Sequence, residues 1–158
     1  AIAPIVAEMF TSGEKKRLQR MINKSILAVL VFALPVALVL LLGGKLIIPF
    51  VFGQEYASAY LPLAILCLGQ LANASMGLSF VILNMAGLER YTARGVAIAA
   101  IVSVVLNIAL IPFFGAIGAA VATSTSLAIW NILLFRWLYR ETGIASTILS
   151  IKIKTTER

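Results

Sequence analysis

Three long stretches of the chain carry no charge: Ser25–Gly44, Tyr56–Leu88 and Gly95–Phe135. Each is too long for a strand, and an open sheet facing lipid would leave its backbone groups without partners. A helix rising 1.5 Å per residue needs about 20 apolar residues to cross the hydrocarbon core of a bilayer. The first stretch is one such span. The second is another, with Tyr56, Tyr60 and Pro62 where it passes the interface. The third is too long for one helix. In its middle, Pro112-Phe113-Phe114-Gly115-Ala116-Ile117-Gly118 supplies a breaker, two aromatics and two glycines, and predicts a tight hairpin. The expectation is an all-α, polytopic membrane helix bundle of about four transmembrane helices, roughly 25–43, 59–85, 95–112 and 117–139. Residues 1–24 read as the end of a preceding helix (Ala1–Phe10) followed by a basic cytoplasmic segment, and 141–158 as a cytoplasmic tail.

The positive charges orient this arrangement. Lys15, Lys16, Arg17, Arg20 and Lys24 precede the first span, Lys45 follows it, and Arg90 and Arg94 lie between the second and third. None lies in the hairpin, and Arg136, Arg140, Lys152, Lys154 and Arg158 end the chain. Alternate connections therefore hold twelve cations against one. The positive-inside rule places both ends in the cytoplasm and the Lys45 connection and Gly115 hairpin outside. Leu18, Met21, Ile22 and Ser25 recur at helical spacing among the first five cations, the pattern of an amphipathic helix lying at the inner interface. Arg17, Arg20, Lys24, Arg90 and Arg94 serve either as topology signals or as contacts for phosphate-bearing lipid head groups. Trp137 and Tyr139, flanked by Arg136 and Arg140, read as an inner-interface anchor, and Phe113 and Phe114 as an outer one.

Charge is absent from the span interiors, so no proton or sodium carrier is expected here. Uncharged polar residues are patterned. At 100° per residue, Gln70, Asn73, Gly77 and Asn84 fall within about a 60° arc of the second span. Ser103 and Asn107 share a face of the third, and Ala120, Ser124 and Asn131 a face of the fourth, beside Thr123-Ser124-Thr125-Ser126. Two readings stand. Such side chains hydrogen-bond between membrane helices, and small residues let helices approach. Alternatively the stripes line a polar path, with Gln70, Asn73, Asn84, Ser103, Asn107, Ser124 and Asn131 as its residues. Pro35 kinks the first span, as a hinge or as a matter of packing.

Composition narrows the chemistry. The chain of 158 residues is 61% hydrophobic and 12% charged, with a net charge of +7. With no His, no Asp and a lone Cys67, it offers no Ser-His-Asp triad, no cysteine-based zinc site and no internal disulfide, so no metal or cofactor is expected. The cations sit between apolar runs rather than on a polar, aromatic-studded face, which excludes nucleic acid as a partner and favours membrane lipid. An enzyme acting at the membrane face would want clustered carboxylates; of the six Glu, only Glu55 falls outside and the inner ones do not cluster. The chain begins at Ala1 without a cleavable leader pattern and is expected to be a piece of a longer protein.

The order of features resembles a known family. After Ser12-Gly13-Glu14-Lys15-Lys16 and the Pro35 helix comes Pro49-Phe50-Val51-Phe52-Gly53-Gln54-Glu55-Tyr56. Asn84-Met85-Ala86-Gly87-Leu88-Glu89-Arg90 follows, then Asn107-Ile108-Ala109-Leu110-Ile111-Pro112, then Phe114-Gly115-Ala116-Ile117-Gly118-Ala119-Ala120-Val121-Ala122-Thr123. This resembles the C-terminal part of bacterial polysaccharide and O-antigen flippases, in the superfamily that also holds drug/cation antiporters and lipid II flippases. The resemblance implies a bundle forming part of the second lobe of a two-lobed exporter. Its implied function is to flip polyprenyl-diphosphate-linked oligosaccharide across the bacterial inner membrane by alternating access, with the N-terminal lobe of the same protein as partner. Two other readings stay open: a fragment of a drug/cation antiporter, or a small four-helix oligomeric channel or scaffold.

Overall fold

The structure is a computed structural model that describes residues 15–76 and 78–142, with side chains from Ile22 to Glu141. Ala1–Phe10, Gly77, the side chains of Arg17 and Arg20, and Lys152, Lys154 and Arg158 lie outside the described residues. The described chain is helical between short turns. Helix α1 is Lys15–Phe52, α2 Tyr60–Met76, α3 Leu78–Met85 and α4 Glu89–Thr142, with a 3₁₀ segment, Gln54–Ala59, between α1 and α2. Among the described residues, three helical stretches are long and apolar enough to cross a membrane: Ile22–Phe52, Gln54–Met85 and Glu89–Glu141.

Helix α1 is longer than the expected span. It joins the basic segment to the apolar one without a break and carries both Pro35 and Pro49 inside it. Its 38 residues measure about 57 Å, well beyond the hydrocarbon thickness. Lys45, expected in a connection, is a residue of this helix, and its ammonium lies 5.4 Å from the ring centre of Tyr60. That aromatic face partners the cation without a loop. Gly44 packs directly on the same ring, where a Cβ would stand 3.1 Å from the ring edge. Tyr60 Oη donates 2.7 Å to the Leu41 carbonyl, tying the start of α2 to the second half of α1. The reversal itself occurs at Gly53, whose φ of 104° suits glycine.

The α3–α4 turn is a Schellman motif. The Leu88 amide donates to the Leu83 carbonyl (2.9 Å) and the Gly87 amide to the Asn84 carbonyl (3.3 Å), with Gly87 at φ 71°. Leu88 packs against the core cluster to which Leu83 belongs, consistent with the apolar contact that usually accompanies this cap.

Helix α4 is two helices. At Gly115 the backbone leaves helical geometry (φ 52°, ψ −129°) and the chain folds back on itself. Gly118 lies so close to the Leu110 backbone that a Cβ would stand 2.5 Å from its carbonyl oxygen. At the far end Tyr91 Oη donates 2.8 Å to Glu141, fifty residues away, and the Tyr91 and Trp137 rings are centred 5.6 Å apart. A straight helix would hold Tyr91 and Glu141 about 75 Å apart. The hairpin expected around Pro112–Gly118 is therefore present.

The helices pack in a row: α1 on α2, α2 and α3 on the second arm of α4, and the first arm on the second. The core sits at one end, built from Ile22, Ile26, Ile82, Leu83, Leu134 and Leu138, with Tyr91, Trp130 and Trp137 against it. Ile22 and Ile26, near the start of α1, are buried in this core, while the side chains of Leu18 and Met21 lie outside the described residues. Trp137 is half-buried against Tyr91, while Tyr139 is exposed. Toward the other end Leu42, Leu46, Phe50 and Phe113 are 78–92% exposed, as lipid-facing side chains of a membrane bundle are.

Candidate functional site

Helical spacing puts Gln70 and Asn73 one turn apart on α2, and the packing of α2 on the second arm of α4 brings Asn131 to them. Asn131 is 2% exposed. Its Nδ2 donates 2.8 Å to Asn73 Oδ1 and 2.9 Å to the Leu127 carbonyl. Asn73 Nδ2 donates 3.2 Å to Gln70 Oε1. The three amides form a chain running from a buried position to the exposed Gln70. Two turns along the same seam, Ser124 Oγ donates 3.3 Å to the Ile65 carbonyl. Gly69 makes this crossing possible: a Cβ there would lie 2.5 Å from Ser124 Oγ.

The other stripe residues stand apart. Ser103 and Asn107 are half-buried on the first arm and bond to each other, Asn107 Nδ2 donating 2.7 Å to the Ser103 carbonyl and 3.3 Å to its hydroxyl. Asn84 is exposed near the end of α3 and contributes its carbonyl to the glycine cap. The seven candidates thus divide into a seam of four, a pair on another helix and a solitary asparagine.

A groove of about 720 Å³ adjoins the seam. It separates the middle of α1 (Phe32, Val36, Leu40) from α2 (Leu63, Cys67, Gln70). Helix α1 is held at its two ends, by Ile22 and Ile26 in the core and by Leu41 and Gly44 at Tyr60, and stands away from α2 around Pro35. Gln70 is the polar residue of the lining. One side chain therefore belongs both to the amide chain and to the apolar groove.

At the core end, Leu88, Arg90, Tyr91, Arg94 and Glu141 enclose a smaller, mostly polar recess of about 300 Å³. Arg90 and Arg94 are exposed, and so is Lys24 on α1. Sequence reasoning named these cations but missed Glu141, fifty residues from its Tyr91 partner. It also missed Thr92 Oγ1 and Trp130 Nε1, buried polar atoms without a hydrogen-bond partner among the described residues. Among the described residues no three His, Cys, Asp or Glu side chains cluster.

No family model and no solved structure matches the chain. Curated proteins do. A probable low-salt glycan biosynthesis flippase of Haloferax volcanii is 30% identical over 99% of this chain and 32% of its own length. A protein of Shigella flexneri named "Putative O-antigen transporter" is 29% identical over 78% of the chain and 30% of its own. These similarities, at modest identity, support a polysaccharide and O-antigen flippase-type family. An uncharacterized membrane protein of Methanocaldococcus jannaschii is also similar, 32% identical over 76% of the chain and 24% of its own length. The chain spans a quarter to a third of the length of these relatives. Its match to the Haloferax protein covers 99% of its residues.

Proposed function

We propose that the chain is part of a multi-pass transporter that moves polyprenyl-diphosphate-linked oligosaccharide across the cytoplasmic membrane by alternating access. It contributes four transmembrane helices: α1, α2 with α3, and the two arms of α4. Both ends of the segment lie in the cytoplasm, and the Gly53 and Gly115 reversals lie outside. The observation that carries the reading is the junction at Gln70 between an amide chain and an apolar groove. A lipid-linked glycan is polar at one end and hydrocarbon at the other. Passing it through a bilayer requires donors and acceptors for sugar hydroxyls beside a surface that tolerates its tail. Gln70 and Asn73 present the first, and the α1–α2 groove the second. The names of the Haloferax and Shigella relatives support the same class of cargo.

The groove lining and the amide chain carry no cation, so the diphosphate is to be neutralised by the remainder of the protein, which the reading assigns to a preceding lobe. Asn131 is buried and bonded on both sides, so its part is to hold α2 to α4. Gln70, with its exposed amide, is the residue of the seam that meets substrate.

The test is export of surface glycan in cells whose own exporter has been deleted, complemented by the full-length protein. Gln70→Leu and Asn73→Leu, at unchanged membrane abundance, are expected to cut export several-fold. Undiminished export by both variants sinks the assignment of the seam to the glycan path.

A further inference from the structure

The recess at the core end of the bundle is a second site, independent of the glycan reading, and we propose that it binds a phosphate group through Arg90 and Arg94. Four observations converge. The two arginines occupy successive turns at the start of α4 and line one recess of about 300 Å³. Neither guanidinium has a hydrogen bond or ion pair among the described residues, although the Glu141 carboxylate lines the same recess. That carboxylate is engaged instead by Tyr91, whose hydroxyl donates 2.8 Å to Oε1. The walls are set by the core: Leu88 completes the glycine cap, and Tyr91 packs at a tilt against Trp137. The result is a preformed concavity with two unpaired planar forks, the donor geometry that matches phosphate oxygens.

Glu141 is the opposing feature. A carboxylate in the recess repels an incoming anion, so the site is a moderate one, tuned by whether Tyr91 holds Glu141. Two sources of phosphate share this chemistry: the head group of an anionic phospholipid, and free phosphate from the aqueous side. The position beside the end of two apolar arms puts the recess within reach of lipid head groups, where basic side chains gain most.

The experiment is native mass spectrometry of the full-length protein released from bilayers of mixed phosphatidylglycerol and phosphatidylcholine. The wild type is expected to retain phosphatidylglycerol. Arg90→Gln/Arg94→Gln should weaken retention about thirtyfold, by two cations near the surface. The charge-matched pair Arg136→Gln/Arg140→Gln, at the same end of the bundle, should weaken it much less. Glu141→Gln should strengthen it. Inorganic phosphate is then titrated in: displacement of the lipid assigns the recess to phosphate from either source, and persistence assigns it to the head group. Equal losses in the two double variants, or no gain in Glu141→Gln, overturn the site and leave only a diffuse positive surface. Thermal unfolding of each variant in the same detergent separates loss of the site from loss of the fold.

Discussion

Gly69→Ala is the sharpest probe of how α2 meets the second arm of α4. A methyl at this position lands 2.5 Å from Ser124 Oγ, 2.9 Å from Ser124 Cβ and 3.3 Å from its Cα, where ordinary contact begins near 3.4 Å. The methyl therefore overlaps the hydroxyl severely, the Cβ substantially and the Cα hardly at all. The hydroxyl rotates away at the cost of its bond to the Ile65 carbonyl; the Cβ moves only if the helices part. Overpacking of this size costs about 1–3 kcal/mol. The same geometry prescribes a graded rescue. Ser124→Ala removes the worst contact and leaves the Cβ. Ser124→Gly removes both and leaves the Cα at nearly ordinary distance. The stability order should be Gly69→Ala, then Gly69→Ala/Ser124→Ala, then Gly69→Ala/Ser124→Gly, with the last regaining about 1 kcal/mol or more through a coupling visible only in the double variant. The assay is unfolding of the full-length protein in lipid nanodiscs, followed by fluorescence from Trp130 and Trp137. A Gly69→Ala protein as stable as the wild type, or one that Ser124→Gly fails to rescue, refutes the crossing at Gly69.

Other predictions concern the remaining contacts. Asn131→Ala and Asn73→Ala, compared singly and together by the same unfolding measurement, should show a coupling of about 0.6 kcal/mol and at most about 1.7 kcal/mol, the range for hydrogen bonds between membrane helices; purely additive losses would mean that the two amides do not meet. Gly118→Ala should cost about 1–3 kcal/mol, because its clash is with the Leu110 carbonyl, a backbone atom that no rotamer change relieves. Gly87→Ala meets nothing within 4 Å, so its cost of about 1 kcal/mol is conformational, and Gly87→Asn should recover part of it.

The helical architecture was legible in the sequence because uncharged stretches of these lengths have few structural outlets in a bilayer. The reversal near Gly115 was legible because a proline, two aromatics and two glycines coincide there. Three features were not, each for a physical reason. Lys45 interrupts the uncharged run and looks like a span end, but the Tyr60 ring partners it from the next helix. Ile22 and Ile26 show a helical apolar face without showing what covers it; the covering comes from Leu83, Leu134 and Leu138, far along the chain. Spacing along one helix places Gln70 and Asn73 on one face, yet the partner, Asn131, lies 58 residues beyond Asn73 and is selected only by packing. A periodicity argument finds faces; pairings across helices need the crossing, and here Gly69 and Ser124 set it.

Everything proposed for transport rests on the chain crossing the membrane four times, with α4 contributing two crossings. Cysteine accessibility in intact cells tests this directly, in the full-length protein with Cys67→Ala as background. Gln54→Cys and Ala116→Cys should react with a membrane-impermeant maleimide added outside. Glu89→Cys and Arg140→Cys should react only after the cells are opened. Protection of Ala116→Cys from outside, together with labelling from inside, would mean that the Gly115 reversal does not reach the outer face, and the four-span account would fail.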